Sequence, residues 1–272
     1  MELVQDYNQI RELTINIKSY KERFITNFFI GEYRCNLLIK NKLIYKIVFE
    51  KCAFILHKDY DFYHVYYQTT AENDLLKGLQ QLMGKYQEET FVTDIIGTET
   101  DTQQIAELFS QAGFSIYSKL LRMSRTKGLD SPQVQHPDIE FASPDQARSV
   151  QNVLETYFDK YSEQIPLLEE IIQWIKDKGV LVLKENELII GLVVFEIIGL
   201  TSYLRYWFTH PAYRDRKIGS TMLRRFFYEC RHTKRQQFWV NASNENAIAR
   251  YQHYGFEQER LFDIIMKNDV YL

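Results

Sequence analysis

The residues best suited to chemistry lie in a basic turn between a strand pattern and a helix pattern. Residues 203–208 are apolar and aromatic like a strand, and residues 221–230 have the apolar spacing of an amphipathic helix. The turn between them carries Arg214, Arg216 and Lys217. Backbone N–H groups at the start of a helix lack internal partners, and the helix dipole favours an anion there. The pattern therefore predicts a binding site for a phosphorylated ligand; the alternative is a solvated basic turn.

The run Arg214-x-x-Lys217-x-Gly219 resembles the coenzyme A pyrophosphate loop of the GCN5-related N-acetyltransferases, whose pattern is Arg/Gln-x-x-Gly-x-Gly/Ala. A second motif follows in the family's order, because residues 244–256 resemble its signature Asn-x-x-Ala…Tyr-x-x-x-Gly-Phe. The resemblance covers roughly residues 138–267. It departs at Lys217, where the family has the middle glycine of the loop. If that position needs a positive φ, lysine costs about 1 kcal/mol.

The resemblance implies that acetyl-CoA (coenzyme A) is the cofactor and that backbone amides of the loop hold its pyrophosphate. The preceding strand would offer main-chain groups of Phe208 and Thr209 to the pantetheine arm and the thioester carbonyl. Asn244 would orient the cofactor arm or the preceding loop, and it can also cap a helix. The implied cofactor-binding residues are Phe208, Thr209, Arg214, Asp215, Arg216, Lys217, Ile218, Gly219, Ser220, Asn244 and Tyr251.

Acetyl transfer from a thioester to an amine also needs a proton donor and a proton acceptor. Tyr251 is the predicted acid, because a phenol with a pKa near ~10 stays protonated at neutral pH, and the resemblance places a tyrosine there, facing the thioester sulfur. The alternative is a helix aromatic that packs on the sheet. Glu196, at the end of a predicted strand, is the predicted base and would act through a water. Its alternative is a solvated carboxylate.

Composition argues against several other classes of function. The formal net charge is −3, whereas a general nucleic-acid binder is usually basic, so no nucleic-acid partner is expected. Cys35, Cys52 and Cys230 have no Cys-x-x-Cys or Cys/His ligand spacing. We therefore expect reduced, packed thiols in a cytoplasmic protein and no metal site. No apolar run has membrane-spanning length and no signal peptide is apparent, so no membrane partner is expected.

The distribution of proline suggests where the chain divides. All five prolines lie after residue 131, and residues 127–137 combine turn formers with little apolar content. This pattern predicts a first domain at 1–126, a linker at 127–137 and a second domain at 138–272.

The two predicted domains resemble each other in sequence. Residues 41–50 echo residues 186–196, and the Gly-Phe pair at Gly113 echoes the pair at Gly255, with nearly equal separations. Such self-similarity favours an internal duplication, although shared propensity could also produce it. With the resemblance, it predicts an α/β fold of tandem acetyltransferase-like domains. Each would be a mixed, mostly antiparallel sheet flanked by helices.

The first half differs from the second where chemistry is expected. Aligned on the repeated glycines, Phe109 takes the place of Tyr251. No Arg-x-x-Gly-x-Gly follows the strand-like residues 62–67, and the next residues are acidic, which repels a pyrophosphate. The first half is therefore expected to lack a coenzyme A site. Its predicted roles are to cover the second domain, to shape the acceptor groove or to form a homodimer.

Three classes of function fit the sequence. The first is an acetyl-CoA-dependent N-acetyltransferase acting on an amine of a small molecule or peptide. The second is a non-catalytic coenzyme A-binding sensor or scaffold. The third is an aminoacyl-tRNA-dependent transferase, because some of those enzymes contain paired acetyltransferase-like domains. The acidic charge balance opposes the third class, and the presence of Asn244 and Tyr251 favours the first over the second.

Overall fold

The computed structural model describes residues 1–126 and 138–268. Within them the chain divides into two compact units. The first contains Met1–Leu120 and the segment that starts at Arg260, and the second is Leu121–Glu259. No helix of the described residues is both long and apolar enough to cross a membrane.

The limits of the two units differ from the predicted domain limits. The predicted second domain runs to residue 272, whereas the final strand from Arg260 belongs to the first unit. There Phe262 to Lys267 pair antiparallel with the residues from Gly97 back to Val92. The predicted linker, 127–137, lies outside the described residues.

The first unit is a mixed sheet with helices packed against it. Its strands run in the order β1-β3-β4-β5-β6-β13, with β2 beside β5, and all of these pairs are antiparallel except β5–β6. The elements are β1 Glu2–Leu3, α1 Tyr7–Lys18, β2 Ile25–Thr26, α2 Glu32–Lys40, β3 Ile44–Phe49, β4 Cys52–Asp59, β5 Phe62–Thr69, α3 Glu72–Lys85, β6 Thr90–Gly97, α4 Glu99–Gln111, β7 Phe114–Arg125 and, at the end of the chain, β13 Glu257–Asn268.

Both faces of the central strands of the first unit are covered. Every residue of β5 is buried, as is typical of a strand that is covered on both faces. Phe54 and Leu56 pack with Leu75 and Leu79 of α3, and α1 packs on β4 and β5. Because side chains alternate along a strand, His57 points away from the core that contains Leu56.

The second unit has the same kind of sheet. Its strand order is β8-β9-β10-β11-β12, followed by β7, whose residues from Leu121 belong to this unit. Only β11–β12 is parallel among the described pairs of β8 to β12. The elements are β8 Ile139–Phe141, a 3₁₀ turn Pro144–Gln146, α5 Ala147–Tyr157, α6 Leu168–Lys176, β9 Val180–Glu185, β10 Leu188–Ile198, β11 Thr201–Thr209, a second 3₁₀ turn Pro211–Arg216, α7 Ile218–Glu229, β12 Arg235–Asn241 and α8 Glu245–His253.

Local sequence signals account for most of these elements. Ser143 and Gln146 form a capping box before α5, with Pro144 in the first turn. Three strands, β9, β10 and β11, follow Gly179 in succession and are joined by short turns. The α/β fold of tandem, mostly antiparallel units is confirmed, and so are the buried, unpaired thiols. Burial raises the pKa of Cys35, Cys52 and Cys230 to about 12.

The repeat is visible in ring contacts as well as in strand order. Phe109 lies 5.8 Å from Tyr67 between ring centroids, and Tyr251 lies 5.5 Å from Trp207. Both aromatic helix residues are thus paired with the strand that precedes the α3 or α7 helix. The structure therefore supports the sequence alignment of Phe109 with Tyr251.

Candidate functional site

The basic turn connects β11 to α7 through a backbone suited to an anion. β11 ends at Thr209, the 3₁₀ turn ends at Arg216, and α7 begins at Ile218. Between them Lys217 has φ 57° and ψ 17°, which is the left-handed region. The N–H of Thr221 donates to the carbonyl of Lys217 at 3.1 Å. The N–H groups of the three residues before Thr221 therefore have no acceptor inside the helix.

Gly219 lets the turn approach the end of β11. A Cβ atom on Gly219 would lie 2.9 Å from Oγ1 of Thr209 and 3.2 Å from Cζ2 of Trp207. The indole N–H of Trp207 donates to the carbonyl of Gly219 at 3.1 Å. On the neighbouring strand, a Cβ on Gly191 would meet Ile218 at 2.9 Å. These close contacts explain why glycine occurs at both positions.

The charged side chains of the turn are not equivalent. Arg216 donates to the carboxylate of Glu185 at 2.8 Å, and its guanidinium lies 4.7 Å from the ring centroid of Tyr213. Hydrogen bonds from Tyr213 and Arg216 lower the pKa of Glu185. Arg214 and Lys217 are exposed, and so is Asp215. Arg216 is thus held at the β9–β10 turn, while Arg214 and Lys217 remain accessible to an incoming anion.

β11 and β12 leave an opening next to the turn. Residues 201–203 pair in parallel with 235–237, and within the described residues β11 has no further partner on that side. Val194 lies opposite Tyr206 whereas Phe195 lies opposite Leu204, so Arg205 is an extra residue that forms a bulge in β11. Backbone groups of β11 beyond the bulge are therefore available to an extended ligand.

Tyr251 lies beside this opening. Its ring is 8% exposed and contacts Trp207 of β11 and Phe238 of β12, with centroid separations of 5.5 and 4.1 Å. Burial, and then the charge of Glu163, raise the pKa of Tyr251 above its ordinary value. The phenol is therefore held protonated at neutral pH, as a proton donor must be.

Glu163 is a carboxylate that the sequence analysis did not identify. It lies in the α5–α6 loop, which Tyr206 anchors by donating to the carbonyls of Glu163 and Gln164 at 2.8 and 3.1 Å. Burial and the nearby Asp159 raise the pKa of Glu163 to about 7. The charge of Glu163 also contributes to the raised pKa of Tyr251. A group with a pKa near the working pH is suited to accept a proton.

Glu196 lies elsewhere on the sheet. Its carboxylate is hydrogen-bonded to the guanidinium of Arg205, and it lines a pocket of about 350 Å³ together with Trp174 and His232. That pocket contains neither residues of the basic turn nor Tyr251. Its role as the base stays a prediction.

Asn244 is the N-cap of α8. Its side-chain oxygen accepts a hydrogen bond from the N–H of Ala247 at 3.1 Å. The capping role considered in the sequence analysis is therefore present. Its predicted contact with a cofactor arm stays a prediction.

Comparisons with known proteins agree with this geometry. Residues 147–256 match the model of the Acetyltransferase (GNAT) family. This range contains the basic turn, Glu163, Asn244 and Tyr251. No curated protein matches the sequence at a significant level.

Several solved structures share the fold across most of the chain. A GCN5-related N-acetyltransferase from Sphaerobacter thermophilus is 15% identical, with a TM-score of 0.59 and coverage of 87% of this chain and 86% of that chain. An acetyltransferase from the GNAT family of Colwellia psychrerythraea is 11% identical, with a TM-score of 0.55 and 98% of each chain covered. A tandem GNAT protein from the clavulanic acid biosynthesis pathway is 12% identical, with a TM-score of 0.55, covering 82% of this chain and 80% of that chain.

Proposed function

We propose that this chain, whose residues 147–256 form a domain of the Acetyltransferase (GNAT) family, transfers an acetyl group from acetyl-CoA to an amine of a small molecule or peptide. The observation that carries the proposal is the N-terminus of α7, whose first N–H groups have no acceptor inside the helix, beside the open edge of β11. The buried phenol of Tyr251 lies at that same opening.

The residues present fit coenzyme A. Gly219 lets the start of α7 lie close to the end of β11, and the first N–H groups of α7 can bind a phosphate. Arg214 and Lys217 are exposed and add positive charge, and Phe208 and Thr209 have main-chain groups at the open edge. Acetyl-CoA would supply an activated thioester carbonyl.

Two side chains would transfer the protons of the reaction. The amine nitrogen forms a bond to the acetyl carbon, and the bond from that carbon to sulfur breaks. Tyr251 holds a proton for the leaving thiolate, and Glu163 accepts the proton that the amine loses. We favour Glu163 over Glu196 because the charge of Glu163 contributes to the raised pKa of Tyr251, whereas Glu196 is paired with Arg205.

Calorimetric titration of coenzyme A tests the cofactor site. Gly219→Glu adds a negative charge and forces the turn away from β11, because a Cβ there would lie 2.9 Å from Oγ1 of Thr209, so coenzyme A binding should become undetectable. Gly84→Glu makes the same charge change at an exposed position of α3 with open space around it, so this control should bind like wild type. Equal affinity of wild type and Gly219→Glu would refute the site.

A non-catalytic coenzyme A-binding protein is the alternative function. It predicts the same calorimetric result but no acetylated product from any amine. The raised pKa values of Glu163 and Tyr251 favour the enzyme, because perturbed pKa values cluster at catalytic sites. An aminoacyl-tRNA-dependent transferase is disfavoured by the net charge of −3.

A further inference from the structure

The first unit has an opening that corresponds to the one beside Tyr251. Residues 62–64 of β5 pair in parallel with residues 90–92 of β6, just as 201–203 pair with 235–237 in the second unit. In the second unit no described segment pairs with β11 beyond that point. In the first unit, β2 pairs antiparallel with the last residues of β5, where Ile25 lies opposite Thr69.

Asn27, the residue after β2, bridges both edges of the opening. Its side-chain oxygen accepts a hydrogen bond from the N–H of Tyr67 at 2.7 Å. Its amide nitrogen lies 3.2 Å from the carbonyl of Val65, 2.9 Å from the carbonyl of Asp94 and 3.0 Å from Oγ1 of Thr93. One side-chain amide therefore satisfies backbone groups of both β5 and β6. Asn27 is 7% exposed.

Thr26 and Phe28, on either side of Asn27, also contact β5. The hydroxyl of Thr26 donates to the carbonyl of Tyr67 at 2.7 Å and accepts from the N–H of Phe28 at 3.0 Å. The ring of Phe28 packs edge-on against Tyr66, with centroids 5.7 Å apart. Residues 25–28 thus supply strand pairing, an amide and an aromatic contact along one edge of β5.

The matched strand pairing identifies the equivalent backbone groups in the second unit. With residue 62 placed on 201 and 90 on 235, and the bulge at Arg205 skipped, Tyr67 corresponds to Trp207 and Asp94 to Trp239. An amide-bearing ligand lying between β11 and β12 would meet the same kinds of donor and acceptor that Asn27 meets in the first unit.

We propose that residues 25–28 fill the cleft of the first unit in the place that an extended, amide-bearing ligand would take. They thereby close this cleft to coenzyme A. This inference rests on the proposed function, which assigns the equivalent opening in the second unit to coenzyme A. Two further features agree with it. Only Thr70 and Ala71 separate β5 from α3, and that helix starts with Glu72 and Asp74, so no anion-binding turn lies next to the cleft.

Hydrogen exchange of the full chain tests the occupant. Asn27→Ala removes the side-chain acceptor of the Tyr67 N–H and a side-chain donor to the Asp94 carbonyl, so exchange of the Tyr67 amide and its β6 neighbours should accelerate roughly tenfold or more. Asn8→Ala, an exposed asparagine in α1, should leave their exchange unchanged. If Asn27→Ala does not fold, Thr26→Val provides the milder variant, with faster exchange expected at Phe28 and Tyr67. Unchanged exchange in the folded variant would overturn the proposal.

Native mass spectrometry of the full chain with coenzyme A tests the closure. Wild type should bind one coenzyme A per chain and Gly219→Glu none. Coenzyme A retained by Gly219→Glu, together with ligand-dependent protection of β5 and β6, would show an open first cleft and overturn the proposal. Absence of binding by wild type would instead count against the proposed function, and the exchange of the Asn27 variant would still decide whether residues 25–28 fill the cleft.

Discussion

The phenol of Tyr251 is suited only to proton donation, because burial and the charge of Glu163 both oppose its ionisation. Tyr251→Phe keeps the ring that packs between Trp207 and Phe238 and removes only the hydroxyl. We expect kcat to fall roughly 10²-fold with little change in coenzyme A affinity. Steady-state kinetics with an accepted amine, and calorimetry for coenzyme A, measure the two quantities. Wild-type turnover in this variant, where chemistry limits the rate, would make Tyr251 a packing residue.

The candidate base is tested by a pair of carboxylate variants. A base with a pKa of about 7 must be deprotonated, so wild-type kcat/KM should rise with pH through that region. Glu163→Gln should remove this rise of kcat/KM with pH and lower the rate at least ~10²-fold. Glu196→Gln breaks a partly exposed ion pair with Arg205, and it should keep both the pH-dependent rise and most of the rate. The reverse result would restore Glu196 as the base.

Among the candidate site residues, the sequence predicts those that belong to a motif, whereas it gives no signal for Glu163, which belongs to none. The turn around Gly219 and the spacing from Asn244 to Tyr251 are local patterns. Glu163 lies in an irregular loop, and its burial comes from its place against the sheet, where Tyr206 holds the loop. No periodicity or neighbouring residue type records that environment.

Two helices, α4 and α8, are each followed by a glycine with a positive φ. These glycines lie at equivalent positions in the two units. Gly113 follows α4 with φ 94°, and Gly255 follows α8 with φ 82°. Both lie in the region that side chains disfavour, which is the structural reason for the repeated Gly-Phe pair. The similarity seen between the two halves of the sequence is therefore, at this point, a shared backbone requirement.

Alanine should have opposite effects at Gly255, which follows a helix with a positive φ, and at Gly84, which lies inside α3. Gly255→Ala should lower the free energy of unfolding by about 1 kcal/mol or more, because alanine is strained at positive φ. Gly84→Ala, in an exposed turn of α3 with open space, should raise it by roughly 0.5–1 kcal/mol. Urea unfolding of the three proteins measures the difference. A neutral Gly255→Ala would contradict the assigned backbone.

The pairing partner of the final strand could not be predicted from the sequence. β13, Glu257–Asn268, is the last strand of the described residues. Its partner in the first unit, β6, is far away in sequence, and the match of Ile264 with Ile95 is a tertiary choice. A sequence pattern of period two specifies a strand but not which edge it joins.

For the whole molecule, a buried histidine pair introduces a pH dependence of stability. His57 and His64 lie opposite each other on β4 and β5 with ring centroids 6.0 Å apart, and they are 3% and 1% exposed. Burial lowers the pKa of both, that of His64 to about 3, although Asp59 and Asp94 lie 3.8 and 3.9 Å from its nitrogens. The unfolded chain therefore binds protons that the native state excludes, and stability from the pair is lost as pH falls below about 6.5.

Asp263 has the opposite effect on the pH dependence of stability. Burial and Asp94 raise its pKa, so the native carboxyl holds its proton to a higher pH than the unfolded one does, and its contribution to stability is lost as pH rises. A variant separates the two effects. Between pH 7 and 5.5, His57→Gln should lose less stability than wild type, by up to about 1.4 kcal/mol per pH unit. The exposed His232→Gln control should follow wild type. Denaturant unfolding at each pH measures this; parallel curves for wild type and His57→Gln would contradict the assignment.

The central claim is acetyl transfer by the second unit, and one assay tests it most directly. Purified full-length protein is incubated with acetyl-CoA and a panel of amines and peptides, and thiol release is followed together with the mass of each acceptor. The account predicts at least one acceptor that gains a single acetyl group in step with thiol release, and loss of both signals in Gly219→Glu but not in Gly84→Glu. Coenzyme A binding without acetylation of any acceptor, or equal activity in Gly219→Glu and wild type, would contradict it.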